Sequence, residues 1–128
     1  MSDKFTVEII TPNETILKTE TNEVNIPSFE GQMGILKDHI PLITFLRPGI
    51  IFLQDQEKKY YVEEGTVEFS NNNLLILTST ARDLTKLNQD SIEELLKSAE
   101  NKFSDNHSSD KEKYISSYKI STLKEINQ

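Results

Sequence analysis

At Arg82-Asp83 the apolar residues of this chain change rhythm, from every second position to every third or fourth, and this constrains the fold more than any single motif. Before that point Phe5, Val7 and Ile9 alternate with Thr6 and Glu8, Val24 and Ile26 flank Asn25, Tyr60 and Val62 flank Tyr61, and Val67 and Phe69 flank Glu68. A period of two sends successive side chains to opposite faces of a strand. Turn formers recur at short intervals, at Pro12-Asn13, Glu30-Gly31, Pro48-Gly49, Asp55-Gln56, Glu64-Gly65 and Asn71-Asn72-Asn73. Such spacing predicts an all-β sandwich, or a barrel-like variant of it, with about ten short strands over residues 1–83.

Leu42 to Leu46, Ile50 to Leu53 and Leu74 to Leu77 break the alternation by being apolar on both faces. A strand with one solvated face should show polar residues at alternate positions. These strands therefore either lie deep in an irregular barrel or carry an outer face covered by the second half of the chain or by another subunit.

Beyond Asp83, Ile92, Leu95, Leu96, Ala99 and Phe103 fall on one stripe of a helix, with Glu93, Glu94, Lys97 and Glu100 facing away. Asp90 with Glu93 predicts a helix start near Asp90, and Ser109 with Glu112 predicts a second start after the polar loop Ser104 to Ser108. Tyr114, Ile115, Tyr118, Leu123 and Ile126 supply the second helix with a less regular apolar face. Helices this short are marginal alone, because nucleation is costly. The expectation is an antiparallel hairpin over residues 84–128 that packs on the sandwich.

Charge is divided unevenly. Residues 1–83 carry 7 basic against 13 acidic groups, whereas residues 84–128 carry 7 against 8. The acidic balance argues against nucleic acid as a partner, since phosphate binding rests on clustered Lys and Arg. Absence of Cys removes disulfides and thiolate metal sites. No leader pattern opens the chain, and no apolar stretch approaches the roughly 20 residues that span a bilayer. Any membrane association is expected through a partner.

The segment from Ser28 to Gly49 is the most specific in the chain. Gly31 and Gly34 bracket Gln32-Met33, which predicts a sharply folded loop with Met33 at its tip, and Pro41 and Pro48 frame the apolar run between them. The segment resembles the signature of the epsilon subunit of rotary ATP synthases, called delta in mitochondria. Ser28, Glu30, Gly31, Gly34, Ile35, His39, Pro41, Leu42, Thr44, Leu46, Pro48 and Gly49 match, with Phe29 as an insertion. The likeness continues through Gly65-Thr66-Val67-Glu68 and Leu77-Thr78-Ser79-Thr80-Ala81, and so covers most of the chain.

This resemblance implies a non-catalytic rotor subunit of the central stalk that links the gamma subunit to the membrane ring, so that ion-driven rotation reaches the catalytic head. It implies a peripheral position on the cytoplasmic face of a bacterial plasma membrane. By resemblance, Glu30, Gly31, Gln32 and Met33 would contact the ring, and His39, Leu42 and Thr44 would contact gamma. Within the family the hairpin can swing toward the alpha and beta catalytic subunits and restrain ATP hydrolysis. Lys111, Lys113, Lys119 and Lys124 supply positive charge for that, although Asp110, Glu112 and Glu125 oppose it.

Other chemistry is weaker. Asp38 beside His39 invites an acid–base reading, yet no nucleophile or second histidine lies nearby, so a structural or contact role is favoured. His107, with Asp105 and Asp110, reads as a solvated loop histidine, and no metal is assigned because HExxH and EF-hand patterns are absent. No P-loop exists. Some epsilon subunits bind ATP through a motif like [IL]-D-x-x-R-A. Here the aligned positions hold Asn88, Ser91 and Ile92, the cation is gone, and no cofactor is carried over. The competing reading is a free-standing β-sandwich ligand-binding module or small enzyme. It needs a concave site with convergent polar or aromatic groups. The lack of Trp counts against it, while Tyr60, Tyr61, Tyr114 and Tyr118 keep it open.

Overall fold

The computed structural model describes residues 3–126. Met1 and Ser2, the first residues of the segment without a leader pattern, and Asn127 and Gln128, the end of the expected hairpin, lie outside them. The strands are β1 (Phe5–Ile10), β2 (Thr15–Thr21), β3 (Glu23–Ser28), β4 (Gly31–Leu36), β5 (Leu42–Leu46), β6 (Gly49–Leu53), β7 (Lys58–Val62), β8 (Gly65–Ser70), β9 (Asn73–Leu77) and β10 (Arg82–Asp83). Two helices follow, α1 (Gln89–Ser104) and α2 (Asp110–Ile126). The chain divides into two compact units, Met1–Leu84 and Thr85–Gln128.

In the first unit the strands run β10-β7-β6-β3-β5-β8-β9-β1-β2, with β4 paired to the other edge of β3. Among the described residues only β1 with β9 is a parallel pair. The sheet turns its corner at β3, which meets β6 at Val24↔Leu53 and Asn25↔Phe52 but meets β5 at Ser28↔Leu46. Arg47-Pro48 is the whole connection between β5 and β6, yet both pair with β3 rather than with each other. That corner is tight. A Cβ on Gly49 would stand 2.5 Å from Pro27 Cβ, so only glycine lets β6 lie this close to β3. Inward residues of every second position build the core, among them Phe5, Val7, Val24, Ile26, Ile35, Leu46, Ile51, Val67, Phe69 and Ile76. Phe5 meets Phe69 edge to face at 5.6 Å.

Two of the doubly apolar runs, on β5 and β9, are not deep core strands, while on β6 the outer residues Ile50 and Phe52 are half-buried. On β5, Thr44 and Leu46 are buried while Ile43 is 77% and Phe45 60% exposed. On β9, Leu74 and Ile76 are buried and Leu77 is 44% exposed. Alternation holds geometrically, and the outer face is simply apolar.

The predicted Gly31–Gly34 loop is instead strand β4, in register with β3 from Ser28↔Gly31 to Glu23↔Leu36. The turn is Phe29-Glu30. Ser28 Oγ holds it, accepting from the Glu30 N–H at 3.2 Å and donating to Gly31 O at 2.8 Å. Gly31 takes the left-handed φ of +119°. Gly34 lies within the strand opposite Asn25.

In the second unit the first helix begins at Gln89, next to the expected Asp90, but with a different cap. Asn88 is the N-cap, in extended backbone, and its side-chain oxygen accepts the Ser91 N–H at 2.8 Å. Asp90 lies inside the helix rather than at its cap and so cannot form the expected box with Glu93, whose Oε1 accepts from Gln89 Nε2 at 3.1 Å. The second expected box does form. Ser109 N–H donates to Glu112 Oε1 at 3.2 Å, and Glu112 N–H donates to Ser109 Oγ at 3.1 Å. Ile92 and Ala99 are buried, whereas Phe103, in the last turn of α1, is 44% exposed rather than part of the packed stripe. Tyr114 is exposed too, its ring edge-on to Tyr118 at 5.0 Å.

Candidate docking face

The loop before β5 is held by a reciprocal pair of side chains. Asp38 N–H donates to Asn72 Oδ1 at 2.7 Å, and Asn72 Nδ2 donates back to Asp38 Oδ1 at 3.0 Å. Both residues sit at positive φ, 66° and 59°. Asn72 O also accepts the Thr6 N–H, so the β8–β9 turn ties this loop to β1. His39 turns away from Asp38. Its Nδ1 lies 2.8 Å from Ile40 O, and its ring stands edge-on to Phe69 at 6.0 Å. The Asp38 carboxylate is thus committed to Asn72, and the sequence neighbours form no acid–base dyad. Ile40 at the loop's exit is 74% exposed.

Strand β5 continues from this loop and separates the candidate contact residues by parity. Leu42 is half-buried and packed on the core, and Thr44 is 7% exposed. Ile43 and Phe45, at the alternate positions, face outward. Cross-strand pairing extends this outer face into two rows. One runs Ile43, Glu68, Leu75, Glu8 and Lys18 across β5, β8, β9, β1 and β2. The other runs Phe45, Thr66, Leu77 and Ile10. The Phe29 N–H donates to Phe45 O at 3.2 Å, which joins the Phe29-Glu30 turn to the edge of this face.

Within that turn and β4, Glu30 and Gln32 are exposed and Gly31 is half-exposed. Met33, opposite Ile26, packs inward against the core. The four lysines of α2 do not form one patch. At 3.6 residues per turn, Lys113 and Lys124 fall on one side of α2, while Lys119 shares the side of buried Ser116 and Leu123. Lys111 leads the first turn beside Asp110 and Glu112.

A ligand-binding reading finds little to work with. A cleft of about 730 Å³ is lined by Asp3, Asn22, Glu23, Leu36, Lys37, Asp38, Gln54 and Asp55, without an aromatic platform. Tyr60 and Tyr61 are buried. The Tyr61 hydroxyl donates to Glu63 Oε2 at 3.0 Å, and burial with the neighbouring carboxylate pushes its pKa far up. Among the described residues no three His, Asp or Glu side chains converge as a metal site. At the start of α1, Asn88 serves as the cap, Ser91 supplies the bonded amide and Ile92 is buried, so none of the three supplies a cation for a phosphate.

Sequence reasoning missed Ile43, Phe45 and Asn72. Their signal lay in the pairing of β5 with β8, where inward Val67 and Phe69 stand opposite Thr44 and Leu42 and so fix the parity.

Residues 4–83 match the family model described as the ATP synthase delta/epsilon chain β-sandwich domain. The ATP synthase epsilon chain of Pelagibacter ubique is 47% identical over 130 aligned residues, covering 99% of this chain and 100% of that one. Among solved structures, a chain of the Euglena gracilis mitochondrial ATP synthase assembly OSCP/F1/c-ring superposes with a TM-score of 0.75 at 19% identity, over 97% of this chain and 79% of that one. A chain of the Tetrahymena thermophila mitochondrial ATP synthase central stalk and c-ring gives 0.66 at 14% identity, over 96% of each. At those identities the two superpositions establish the fold.

Proposed function

The chain belongs to the ATP synthase delta/epsilon family, and from that premise we propose that it works as a rotor part, a non-catalytic stalk subunit that locks the gamma subunit to the membrane ring. Transmitting torque requires no bond chemistry. It requires a stiff body gripped on two sides, which a sheet with short connections and a tight corner supplies. The observation that carries the docking is the exposure of Ile43 and Phe45 on a strand continuous with the signature segment. An apolar outer face of this kind marks an interaction surface.

The gamma contact then runs through the His39 loop and the outward side of β5, with Leu42 and Thr44 setting the strand from behind. The ring contact runs through Glu30, Gly31 and Gln32 at the β3–β4 turn, with Met33 as its inner support. No helix among the described residues is long and apolar enough to cross a membrane. Attachment to the cytoplasmic face of a bacterial membrane would come through these partners. The hairpin would meet the alpha and beta subunits and restrain ATP hydrolysis, with Lys111, Lys113, Lys119 and Lys124 as its cations.

The test uses Gln32→Cys, unique in a chain without cysteine. Cross-linking to a cysteine in the polar loop of the ring should proceed in the assembled enzyme and leave ATP-driven ion pumping intact, because two parts that turn together lose nothing when joined. Absence of the cross-link in an assembled, pumping enzyme removes the ring contact. A cross-link that stops pumping removes the shared rotation.

A further inference from the structure

On the outer face of the sandwich, Glu68 stands between two apolar neighbours. Its cross-strand partners are Ile43 on β5 and Leu75 on β9, and Phe45 and Leu77 occupy the diagonal positions. Glu68 is exposed, and among the described residues none forms an ion pair with it. Glu8, two strands further along the same row, has Lys18 opposite it. That lysine is three strands from Glu68, roughly 14 Å at the usual strand spacing and beyond useful range in physiological salt. Any partner that covers Ile43, Phe45 and Leu77 must also cover this carboxylate. Desolvating it unpaired would be strongly unfavourable.

We infer that the stalk partner seated on this face carries a guanidinium or ammonium group that meets Glu68 inside a surround of apolar contacts. The inference rests on the docking reading above and names the chemistry of the partner's surface. Charge complementarity favours such a partner over a second copy of this chain, whose matching row carries two carboxylates, Glu68 and Glu8, against one lysine, Lys18. The carboxylate makes the face selective, because an apolar patch alone accepts many surfaces, whereas an interior charge rejects any that lack the matching cation.

The experiment measures binding of the full chain to the gamma-containing complex stripped of this subunit. Glu68→Gln should weaken binding by about 30-fold and Glu68→Lys by more, both flattening the salt dependence of association. Glu57→Lys, the same change of net charge on an exposed turn elsewhere, should shift affinity less than about threefold. Phe45→Ser reports on the face independently. If Phe45→Ser abolishes binding and both Glu68 variants bind like the parent, the face docks without a cation and the inference falls while the docking reading stands. If neither position matters, the docking reading falls as well. A maleimide label on Phe45→Cys distinguishes occupants. Reactivity in the free chain with protection in the complex supports the stalk partner. Protection in the free chain assigns the face to the chain's own hairpin when independent of concentration, or to a second copy when it rises with concentration, and either overturns the inference.

Discussion

Gly49 makes the sheet corner testable with one methyl group. Its missing side chain leaves room for the Pro27 ring, and a Cβ there would lie 2.5 Å from Pro27 Cβ and 2.9 Å from Cγ. A proline ring cannot swing aside as a long side chain would, so relief must come from separating β6 from β3. Gly49→Ala should therefore cost about 1–3 kcal/mol, as over-packing does. For a unit of this size that lowers the melting temperature by roughly 4–8 °C per kcal/mol, readable by calorimetry. An unchanged melting temperature would mean that the corner is slack. The sequence marks Gly31, Gly34 and Gly49 alike as special positions, yet their reasons differ. Gly31 needs its positive φ, Gly49 its empty space, and Gly34 merely faces Asn25 within a strand. Local pattern cannot separate these reasons, because the crowding at Gly49 comes from Pro27, which lies 22 positions earlier.

At the scale of elements, the two helices are tied across their loop by Lys102 and Glu112, whose side chains pair. The hydrogen bond and charge of Glu112 raise the Lys102 pKa, and those of Lys102, with the Ser109 amide, lower that of Glu112. A lowered carboxylate pKa gives stability that is present above the unfolded value and lost as pH falls through the folded one. A raised lysine pKa gives stability present below the unfolded value and lost as pH rises through the folded one. The pair thus supports the hairpin across the neutral range and fails at both extremes. Glu112→Gln keeps an acceptor for the Ser109 amide while removing the ion pair. Amide exchange in the first turn of α2 should be faster in Glu112→Gln at neutral pH and equal to the parent in strong acid. A difference persisting in acid would place the effect in the cap instead. The Ser109 box was legible because its residues are local, and so was the inward set Phe5, Val7 and Ile9, because alternation is local. The parity of β5 was not, since a run apolar on both faces carries no alternation and only its pairing with β8 orients Thr44 inward. Strand β4 was hidden by two glycines, which propensity assigns to a loop and which pairing with β3 overrides.

For the molecule as a whole, the two units differ in how firmly each is held. The core cluster of the first unit draws only on residues 5–81, so it is complete without the hairpin. The buried set of the second is Ile92, Ala99, Ser116, Thr122 and Leu123, in which Ser116 and Thr122 are polar. Little apolar burial means a low cost of rearrangement, and elements that move in regulation come from the weakly held end of a structure. A regulatory switch needs packings that differ by only a few kcal/mol, and a buried set this small lowers the cost of repacking relative to the core of the sandwich. Ending the chain after Leu84 should leave the sandwich folded, keep it in the assembled enzyme and preserve ion pumping. If the hairpin restrains hydrolysis, ATPase activity of that enzyme should rise about fivefold or more, the lower end of ordinary allosteric coupling. Unchanged hydrolysis with intact pumping would reject the restraint and leave the coupling role. Loss of pumping in an assembled enzyme would show that torque passes through the hairpin, against the assignment of the docking face to β5 and its neighbours.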